Sequence, residues 1–338
     1  MRFNETEEPA DVLETTEGSE QIPLIVIVGP TAVGKTELSI QLAERLDGEI
    51  VSADSRLFYC GMDIGTAKPT QEERGRVSHH LINVVDPDQI WSLPLFQTGA
   101  DKAIAAIHSR GHLPFLVGGT GQYVRAVIEG WQVPKAQPNP RLRAVLETWA
   151  DDIGGEGLHA RLALLDPEAA VKIDPRNLRR TVRALEVILS TGELFSKQRQ
   201  HGPTPYSALI LGLTRPREEL YARIDTRIDV MLESGLIEEV QRLLDKGYPA
   251  DLPTLSAIGY REIIAYLEGE VTLEEAVGLI KRATRVFVRR QANWFKVDDP
   301  KINWFNVQPG TIGEMEATIQ SFLSKFDLST IPSQKEIK

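Results

Sequence analysis

The chain has 338 residues, which is longer than one average domain, and 42% of them are hydrophobic and 25% charged. This composition is typical of a globular protein and excludes a disordered or fibrous chain. Cys60 is its single cysteine, which excludes an intrachain disulfide and a cysteine-based zinc site, so no zinc is expected. No apolar run approaches about 18 residues, so we expect no membrane span. The first residues are acidic, unlike an export or import signal, and a cytoplasmic protein is expected.

The negative charge is distributed unevenly along the chain. The net charge is −10, but positions 1–20 contain seven acids and one base, whereas positions 21–338 carry 37 basic and 41 acidic residues. Residues 281–296 include six bases and no acid. Such a segment is compatible with nucleic-acid contact, although a solvated helix face is the commoner cause.

Hydrophobic patterns predict strands that alternate with helices. Residues 1–21 are acidic and without periodicity, and we predict a disordered leader there. A continuous apolar run at 24–28 is typical of a strand buried on both faces of a parallel sheet. In chain order, the patterns predict strands at 24–28, 49–52, 113–117 and 208–213, helices at 35–46 and 98–109, and amphipathic helices from the last strand to Lys296.

A change of composition after Trp131 divides the chain. Three prolines precede charged sequence with helical periodicity, which continues to about Gln200, and an apolar strand pattern then returns. A helical insertion therefore interrupts one core domain. The predicted parts are a core of 22–130 and 206–310, a helical insertion at 131–205, and a C-terminal helix with a frayed tail at 311–338.

A phosphate-binding motif follows the first predicted strand. It consists of Gly29, Pro30, Thr31, Ala32, Val33, Gly34, Lys35 and Thr36, and fits the pattern G-x-x-x-x-G-K-[ST]. In this motif backbone N–H groups surround an anion, Lys35 adds positive charge, and Thr36 offers a hydroxyl to Mg²⁺. We predict an α/β fold in which a P-loop kinase-like parallel sheet, with helices on both faces, is interrupted by a helical insertion subdomain.

The acidic residue that nucleotide hydrolases use to hold their metal is missing from the end of the candidate strand. Such enzymes have an apolar strand that ends in an acid and helps to hold the metal, but the candidate strand here ends in Val117, Gly118 and Gly119. Two interpretations stay open: the loop binds a phosphorylated substrate other than ATP, or Asp54 is the acid on the metal side. Asp54 follows the second predicted strand, at the sheet edge where α/β proteins bind ligands.

Eight motifs stand in order between residues 24 and 305. They are Gly29 to Thr36, Asp54-Ser55, Gly61 to Pro69, His79 to Ile82, Val117 to Gly121, Arg183 to Val187, Gly259 to Glu262 and Thr284 to Trp294. In this combination the chain resembles the tRNA dimethylallyltransferase family, whose members prenylate the exocyclic amine of the adenosine beside the anticodon. Each motif alone is a weak signal, and the ordered set is a specific one.

The resemblance implies a reaction and the residues that carry it. The loop would bind the diphosphate of dimethylallyl diphosphate, with Mg²⁺ at Thr36 and with Arg223 as the family's diphosphate-binding arginine. Asp54 would take the proton from N6 of adenosine 37, and Thr120 would lie beside the reacting centre. A monomer is expected. The resemblance assigns binding of the tRNA anticodon stem-loop to Asp54, Ser55, Arg56, Leu57, Thr120, Arg143, Arg179, Arg180, Thr181, Val182 and Arg183.

The chain departs from the family pattern at two places. Family members commonly have Gln two residues after the Asp-Ser pair, at the position of Leu57, and an Asn-Asp pair is usual in the segment that reads Pro175 to Arg180 here. Both departures concern segments assigned to tRNA, so the preference among tRNAs stays open.

Three other functions remain open on the sequence. An adenylate isopentenyltransferase would use the same loop and acid on a free nucleotide, although such a small substrate does not need a long basic insertion. A P-loop small-molecule kinase would transfer the γ-phosphate of ATP. An RNA-binding module with a decayed catalytic site would bind RNA without reaction.

Overall fold

The computed structural model describes residues 21–132, 139–197 and 200–326. The chain divides into two compact units, Glu129–Pro203 and the sequence on both sides of it. The predicted leader, apart from Gln21, and the predicted frayed tail after about Leu328 lie outside the described residues. In the described ranges, every helix is either too short or too polar to cross a lipid bilayer.

The larger unit is built on a parallel sheet, as predicted from the alternating pattern. In the described residues the strands are β1 Ile22–Val28, β2 Gly48–Ser52, β3 His79–His80, β4 Leu113–Gly118, β5 Trp131–Gln132, β6 Gln200–His201, β7 Tyr206–Thr214 and β8 Ile302–Asn306. The sheet has the order β3-β2-β4-β1-β7-β8, and each neighbouring pair is parallel. The α/β prediction is therefore confirmed. In the other unit, β5 and β6 form an antiparallel ribbon.

The helices of the larger unit flank these strands. They are α1 Lys35–Arg45, α2 Gln71–Arg76, α3 Leu93–Ser109, α4 Gly121–Ile128, and, after the four helices of the other unit, α9 Arg217–Glu233, α10 Leu236–Asp245, α11 Tyr260–Leu267, α12 Leu273–Gln291 and α13 Thr311–Leu323. The predicted start of α3 at residue 98 was wrong. The helix begins at Leu93 because Ser92 is its N-cap and Pro94 is tolerated in the first turn.

Strand β1 is the centre of the core. Its residues 24–28 are completely buried, and it pairs with β4 on one side and β7 on the other. A strand that is covered on both faces and bonded on both edges has no polar face, which explains its continuous apolar sequence. The carboxyl end of β1 is therefore held firmly between two neighbouring strands.

The smaller unit has a separate hydrophobic core. Its helices are α5 Pro140–Ile153, α6 Gly155–Leu165, α7 Pro167–Lys172 and α8 Leu178–Thr191. They surround a cluster of leucines that includes Leu158, Leu162 and Leu185. This unit is made of residues 129–203, against a predicted insertion at 131–205.

A buried glutamate connects two of the sequence motifs. Glu239 on α10 is 2% exposed, and its carboxylate accepts hydrogen bonds from the backbone N–H groups of Asp63, Ile64 and Gly65 at 2.8–3.1 Å. The hydroxyl of Tyr260 also donates to it, at 2.6 Å. Burial and the Glu239 carboxylate raise the pKa of Tyr260, so this hydroxyl remains a donor. The segment Gly61 to Pro69 is thus anchored to α10 and α11.

Removing this carboxylate is expected to destabilise the protein. Glu239→Ala leaves three partly buried N–H groups and a buried tyrosine hydroxyl without an acceptor, so we expect a loss of roughly 3 kcal/mol in the free energy of unfolding. Urea denaturation followed by circular dichroism measures the loss. The matched control is Glu238→Ala, which removes an exposed charge from the same helical turn and should cost less than about 1 kcal/mol. Equal losses in the two variants would contradict this role of Glu239.

Candidate functional site

The anion loop, residues 29–36, joins β1 to α1. Gly29 has a φ of 154°, and a Cβ there would lie 2.8 Å from a carbonyl oxygen of β7. Gly34 has a φ of 111°, a backbone conformation that favours glycine. The Lys35 ammonium donates hydrogen bonds to the carbonyls of Gly29 at 3.0 Å and Pro30 at 2.9 Å. The loop therefore has the close backbone approach and the fixed positive charge that an anion site needs.

Two arginines hold the loop from outside. The Nε of Arg215 donates to the carbonyl of Val33 at 2.8 Å, and the Nε of Arg223 donates to the carbonyl of Ala32 at 2.9 Å. In a trans peptide the C=O and the following N–H point in opposite directions. The bond from Arg215 thus directs the N–H of Gly34 away from Arg215. Arg215 was not among the residues singled out from the sequence.

Two cavities border the anion loop within the larger unit. The inner cavity, of about 100 Å³, is lined by Thr31, Lys35, Thr36, Ile50, Ser52, Asp54, Leu57, His79 and Arg227 among others. The outer cavity, of about 470 Å³, is lined by Ala32, Gly34, Lys35, Thr36, Glu219, Arg223 and Arg227 among others. Lys35, Thr36 and Arg227 line both cavities, so one cation of the loop and one cation of α9 face both spaces.

The electrostatics of the inner cavity depend on two partly buried cations, Lys35 and Arg227, and on the carboxylate of Asp54. Burial lowers the pKa of Lys35 to about 8, and the nearby Asp54 carboxylate opposes part of that shift. Burial also lowers the pKa of Arg227, again against the effect of Asp54. A guanidinium nevertheless stays charged at neutral pH. Among the described residues, Arg227 finds no hydrogen-bond acceptor for its side chain, so its donors remain available to a ligand.

Sequence reasoning missed Arg227, although a signal was present. Arg223 and Arg227 are four residues apart on α9, and residues with this spacing share a helix face. In the structure, Arg223 and Arg227 both line the outer cavity. Their helical spacing would have suggested this arrangement once Arg223 had been singled out.

Asp54 follows β2 and lies in the inner cavity together with the anion loop. Alternate residues of this segment, Ile50, Ser52 and Asp54, line the cavity because successive side chains of a strand point to opposite faces. The Asp54 carboxylate accepts a hydrogen bond from the N–H of Arg56 at 3.1 Å. One carboxylate oxygen is thus fixed by the backbone, and the group lies in the same cavity as Lys35.

The other residues predicted near Asp54 lie in two adjoining turns. We call residues 54–57 the acid turn and residues 118–121, after β4, the glycine turn. Thr120 of the glycine turn accepts a hydrogen bond from the N–H of Ser55 at 3.2 Å, so its hydroxyl fixes the acid turn. The Arg56 guanidinium donates to the carbonyl of Thr254 at 3.2 Å, and Leu57 lines the inner cavity.

The side chains of the inner cavity fit only a metal with a sparse protein shell. Within the described ranges, no three His, Cys, Asp or Glu side chains are close enough to hold a metal ion. The Thr36 hydroxyl and the Asp54 carboxylate both line the inner cavity. Mg²⁺ is commonly bound by few protein oxygens together with substrate phosphates and water. The residues present therefore fit Mg²⁺.

The smaller unit places its predicted tRNA-binding residues in three different environments. Arg143 and Arg183 bind the fully buried Glu186 at 2.6–2.9 Å. Burial alone would raise the pKa of Glu186, but the bonds from the two guanidinium groups hold it below its usual value. The other four predicted residues divide equally: the side chains of Thr181 and Val182 are buried, whereas those of Arg179 and Arg180 are exposed.

The basic segment 281–296 is only partly available to a ligand. Lys281 and Arg285 of α12 form ion pairs with Asp229 and Asp225 of α9, at 2.7 and 2.5 Å. Three further bases of the helix, Arg282, Arg289 and Arg290, are exposed. Two of the six bases that suggested nucleic-acid contact therefore form ion pairs within this unit.

Comparison with known protein families gives two matches. The family model described as IPP transferase matches residues 57–298, and the model described as Isopentenyl transferase matches residues 22–82. The tRNA dimethylallyltransferase of Roseiflexus sp. strain RS-1 is 56% identical over 275 residues, which cover 81% of this chain and 90% of the relative. The tRNA dimethylallyltransferase of Thermomicrobium roseum is 49% identical over 89% of this chain and 92% of the relative.

Solved structures with the same fold carry related names. A tRNA isopentenylpyrophosphate transferase from Bacillus halodurans matches with a TM-score of 0.67 and 44% identity, over 90% of this chain and 97% of that one. A eukaryotic dimethylallyltransferase, described as acting on tRNA, matches with a TM-score of 0.76 and 28% identity, over 93% and 81%. Since one family model matches more than half of the sequence and the relatives are about half identical over most of it, the chain belongs to the tRNA dimethylallyltransferase family.

Proposed function

We propose that this protein transfers a dimethylallyl group from dimethylallyl diphosphate to N6 of adenosine 37, beside the anticodon of tRNA, and releases diphosphate. The observation that carries the proposal is the composition of the inner cavity, where Lys35, Thr36 and Arg227 lie together with Asp54. Two cations and a hydroxyl suit a diphosphate leaving group, and a carboxylate in the same space suits proton removal from an amine.

The proposed transfer needs a base for the amine and cations for the leaving group in the same cavity. An adenine N6 amine is a weak nucleophile because its lone pair is delocalised into the ring. As the new N–C bond forms, the C–O bond to the diphosphate breaks, and its electron pair remains on the phosphate oxygen. Asp54 accepts the N6 proton, while Lys35, Arg227 and the loop N–H groups stabilise the departing negative charge.

Mg²⁺ is part of the proposal. The Thr36 hydroxyl would hold it together with oxygens of the bound diphosphate, and the ion would neutralise charge on the leaving group. Arg223 has a related role in the proposal. Its Nε donates a hydrogen bond to the carbonyl of Ala32, which supports the anion loop. Its side chain also lines the outer cavity, so its guanidinium would bind diphosphate oxygens from that side.

The adenosine must leave its stack to reach Asp54, at a cost of a few kcal/mol. Contacts with the rest of the tRNA must offset this cost. Arg179 and Arg180 are exposed, so their charges are available to RNA phosphates. Ser55, Arg56 and Leu57 would bind the target nucleotide from the acid turn. We further propose a monomer that acts in the cytoplasm.

Nucleoside analysis of the reaction products tests the proposal. The purified protein is incubated with dimethylallyl diphosphate, Mg²⁺ and an anticodon stem-loop, in parallel with AMP and with ATP plus small-molecule acceptors. We expect N6-dimethylallyladenosine in the stem-loop. Product with AMP alone would identify an adenylate isopentenyltransferase, γ-phosphate transfer alone a kinase, and RNA binding without any product a decayed enzyme.

Asp54→Asn is expected to lower turnover without weakening RNA binding. The amide can still accept the hydrogen bond from the Arg56 N–H, but it cannot take a proton from N6. Loss of a general base typically costs a factor of about 10² to 10⁴ in rate. Steady-state kinetics give kcat, and fluorescence anisotropy with a labelled stem-loop gives the Kd. A fall in RNA affinity as large as the fall in kcat would contradict the assignment.

Diphosphate binding is expected to weaken above pH 8. With a pKa of about 8, Lys35 is protonated and attractive to an anion below that pH, and neutral above it. If the charged form is required, the affinity falls by roughly tenfold for each further pH unit. Titration calorimetry with inorganic diphosphate between pH 7 and pH 9 measures this effect.

Lys35→Arg is the matched control for that titration. An arginine keeps its charge throughout this range, and ionisation of the ligand itself is common to both proteins. The ratio of the two affinities should therefore change with pH. A constant ratio between pH 7 and pH 9 would show that Lys35 does not titrate there.

Arg180→Ala is expected to weaken binding of the stem-loop and to reduce its dependence on salt. If Arg180 contacts one phosphate, the slope of log Kd against log salt concentration falls by roughly one. The control is Lys172→Ala, which removes an exposed lysine that is already paired with Glu168 in the same unit. Anisotropy titrations at several salt concentrations compare them, and an unchanged slope for Arg180→Ala would argue against the contact.

A further inference from the structure

One side chain joins the two halves of the proposed active site. Gln291, the last residue of α12, is 7% exposed. Its Oε1 accepts a hydrogen bond from the N–H of Thr31 in the anion loop at 2.9 Å, and its Nε2 donates to the carbonyl of Gly119 in the glycine turn at 3.2 Å. The donor on one side and the acceptor on the other fix the orientation of the carboxamide.

The glycine turn continues this connection to the acid. Thr120, the next residue after Gly119, accepts a hydrogen bond from the N–H of Ser55 at 3.2 Å. The neighbouring Asp54 is held in turn by the N–H of Arg56. A continuous series of hydrogen bonds and covalent bonds therefore runs from the loop that would bind the leaving group to the carboxylate that would take the proton.

The end of α12 is itself held in place. The Arg125 guanidinium of α4 donates to the carbonyl of Trp294 at 2.8 Å, and a Cβ at Gly121 would lie 2.3 Å from the Cβ of Trp294. The segment after α12 thus packs directly on the start of α4. Gln291 projects from a fixed position rather than from a mobile chain end.

We propose that Gln291 is a positioning residue that sets the distance between the anion loop and the glycine and acid turns. This inference rests on the proposed function. Transfer of the allylic group requires the N6 nitrogen, the carbon and the leaving oxygen to be aligned, and a misplacement of about 1 Å can cost about a hundredfold in rate. Because Gln291 already binds the N–H of Thr31, that N–H does not serve the diphosphate, and the contribution of Gln291 is to geometry.

We call the two hydrogen bonds of Gln291, to the N–H of Thr31 and to the carbonyl of Gly119, the bridge. Gln291→Met removes the bridge, because the methionine side chain has a similar length but makes neither hydrogen bond. We expect the single-turnover transfer rate to fall about a hundredfold, while the Kd values for inorganic diphosphate and for the stem-loop stay within about threefold of the parent. Gln97→Met is the matched control, since the Gln97 carboxamide donates to the Ala126 carbonyl of α4 at 3.0 Å, away from the cavities. The control should keep the parent rate.

Gln291→Glu separates the two bonds. A carboxylate can still accept from the N–H of Thr31, but it cannot donate to the carbonyl of Gly119 and is repelled by it. We expect a loss of rate as large as that of Gln291→Met. A parent-like rate would show that only the contact with the anion loop matters and would overturn the bridge.

Gly119→Ala approaches the same bond from the other side and serves if a Gln291 variant does not fold. A Cβ at Gly119 would lie 2.4 Å from the Nε2 of Gln291, so the carboxamide must move. We expect the same selective loss of rate, and the double variant with Gln291→Met should lose no more than the single variants, because both remove one interaction. Additive losses would contradict the bridge.

The outcomes distinguish this inference from the proposed function. Transfer by the parent protein establishes the function, and the variants then decide the role of Gln291. A parent-like rate in Gln291→Met, an equal loss of diphosphate affinity, or the same loss of rate in Gln97→Met each overturns the positioning role. If the parent transfers no allylic group, both the function and this inference are rejected.

Discussion

The parallel pairing of β1 with β4, and of β4 with β2, is the constraint on which the site depends. Because parallel strands end at the same edge, the anion loop, the acid turn and the glycine turn, which follow β1, β2 and β4, meet there. The approach is close: the N–H of Ala53 donates to the carbonyl of Val117 at 2.8 Å, and a Cβ at Gly118 would lie 2.3 Å from the carbonyl oxygen of Ala53. The glycines of the turn are therefore required by packing as well as by any ligand.

Residues from the second half of the chain complete the site that the anion loop and the two turns form. Strand β7 returns to the sheet beside β1, and the chain that follows it supplies Arg215, Arg223 and Arg227 at the anion loop. Helix α12 supplies Gln291. The loop alone offers backbone donors and one ammonium group, whereas the later residues hold its carbonyls, add a guanidinium to the cavity and connect it to the acid turn. The site therefore consists of a local sequence motif and of side chains that only the folded chain brings to it.

Buried carboxylates fix several of the segments that stood out in the sequence. Glu239 holds the Gly61 to Pro69 segment, Glu262 accepts the N–H of Gly259 at 2.8 Å, and Glu186 holds Arg143 and Arg183 in the smaller unit. A buried charge is tolerated only when it is fully bonded, so each of these acids specifies one local arrangement. Several residues of the sequence motifs therefore stabilise the local structure rather than contact a ligand.

Elements with a local signal could be predicted from the amino-acid sequence. The continuous apolar runs of β1, β4 and β7 predict a parallel sheet, the anion loop is defined by spacing, and Asp54 follows from its place after a strand. Strand β3, with two residues, and β8, with five, were not predicted, because short edge strands carry little periodicity.

Which charges are available to a ligand, and which distant residues are in contact, depends on how the folded chain packs. Lys281 and Arg285 looked the same as Arg282 in the basic segment, yet they pair with acids of α9, and Thr181 lies inside a core that its polar side chain did not suggest. Gln291 contacts Thr31 across 260 positions of sequence. Local periodicity follows from backbone geometry, whereas these contacts depend on how distant elements pack, so no pattern within a short window contains them.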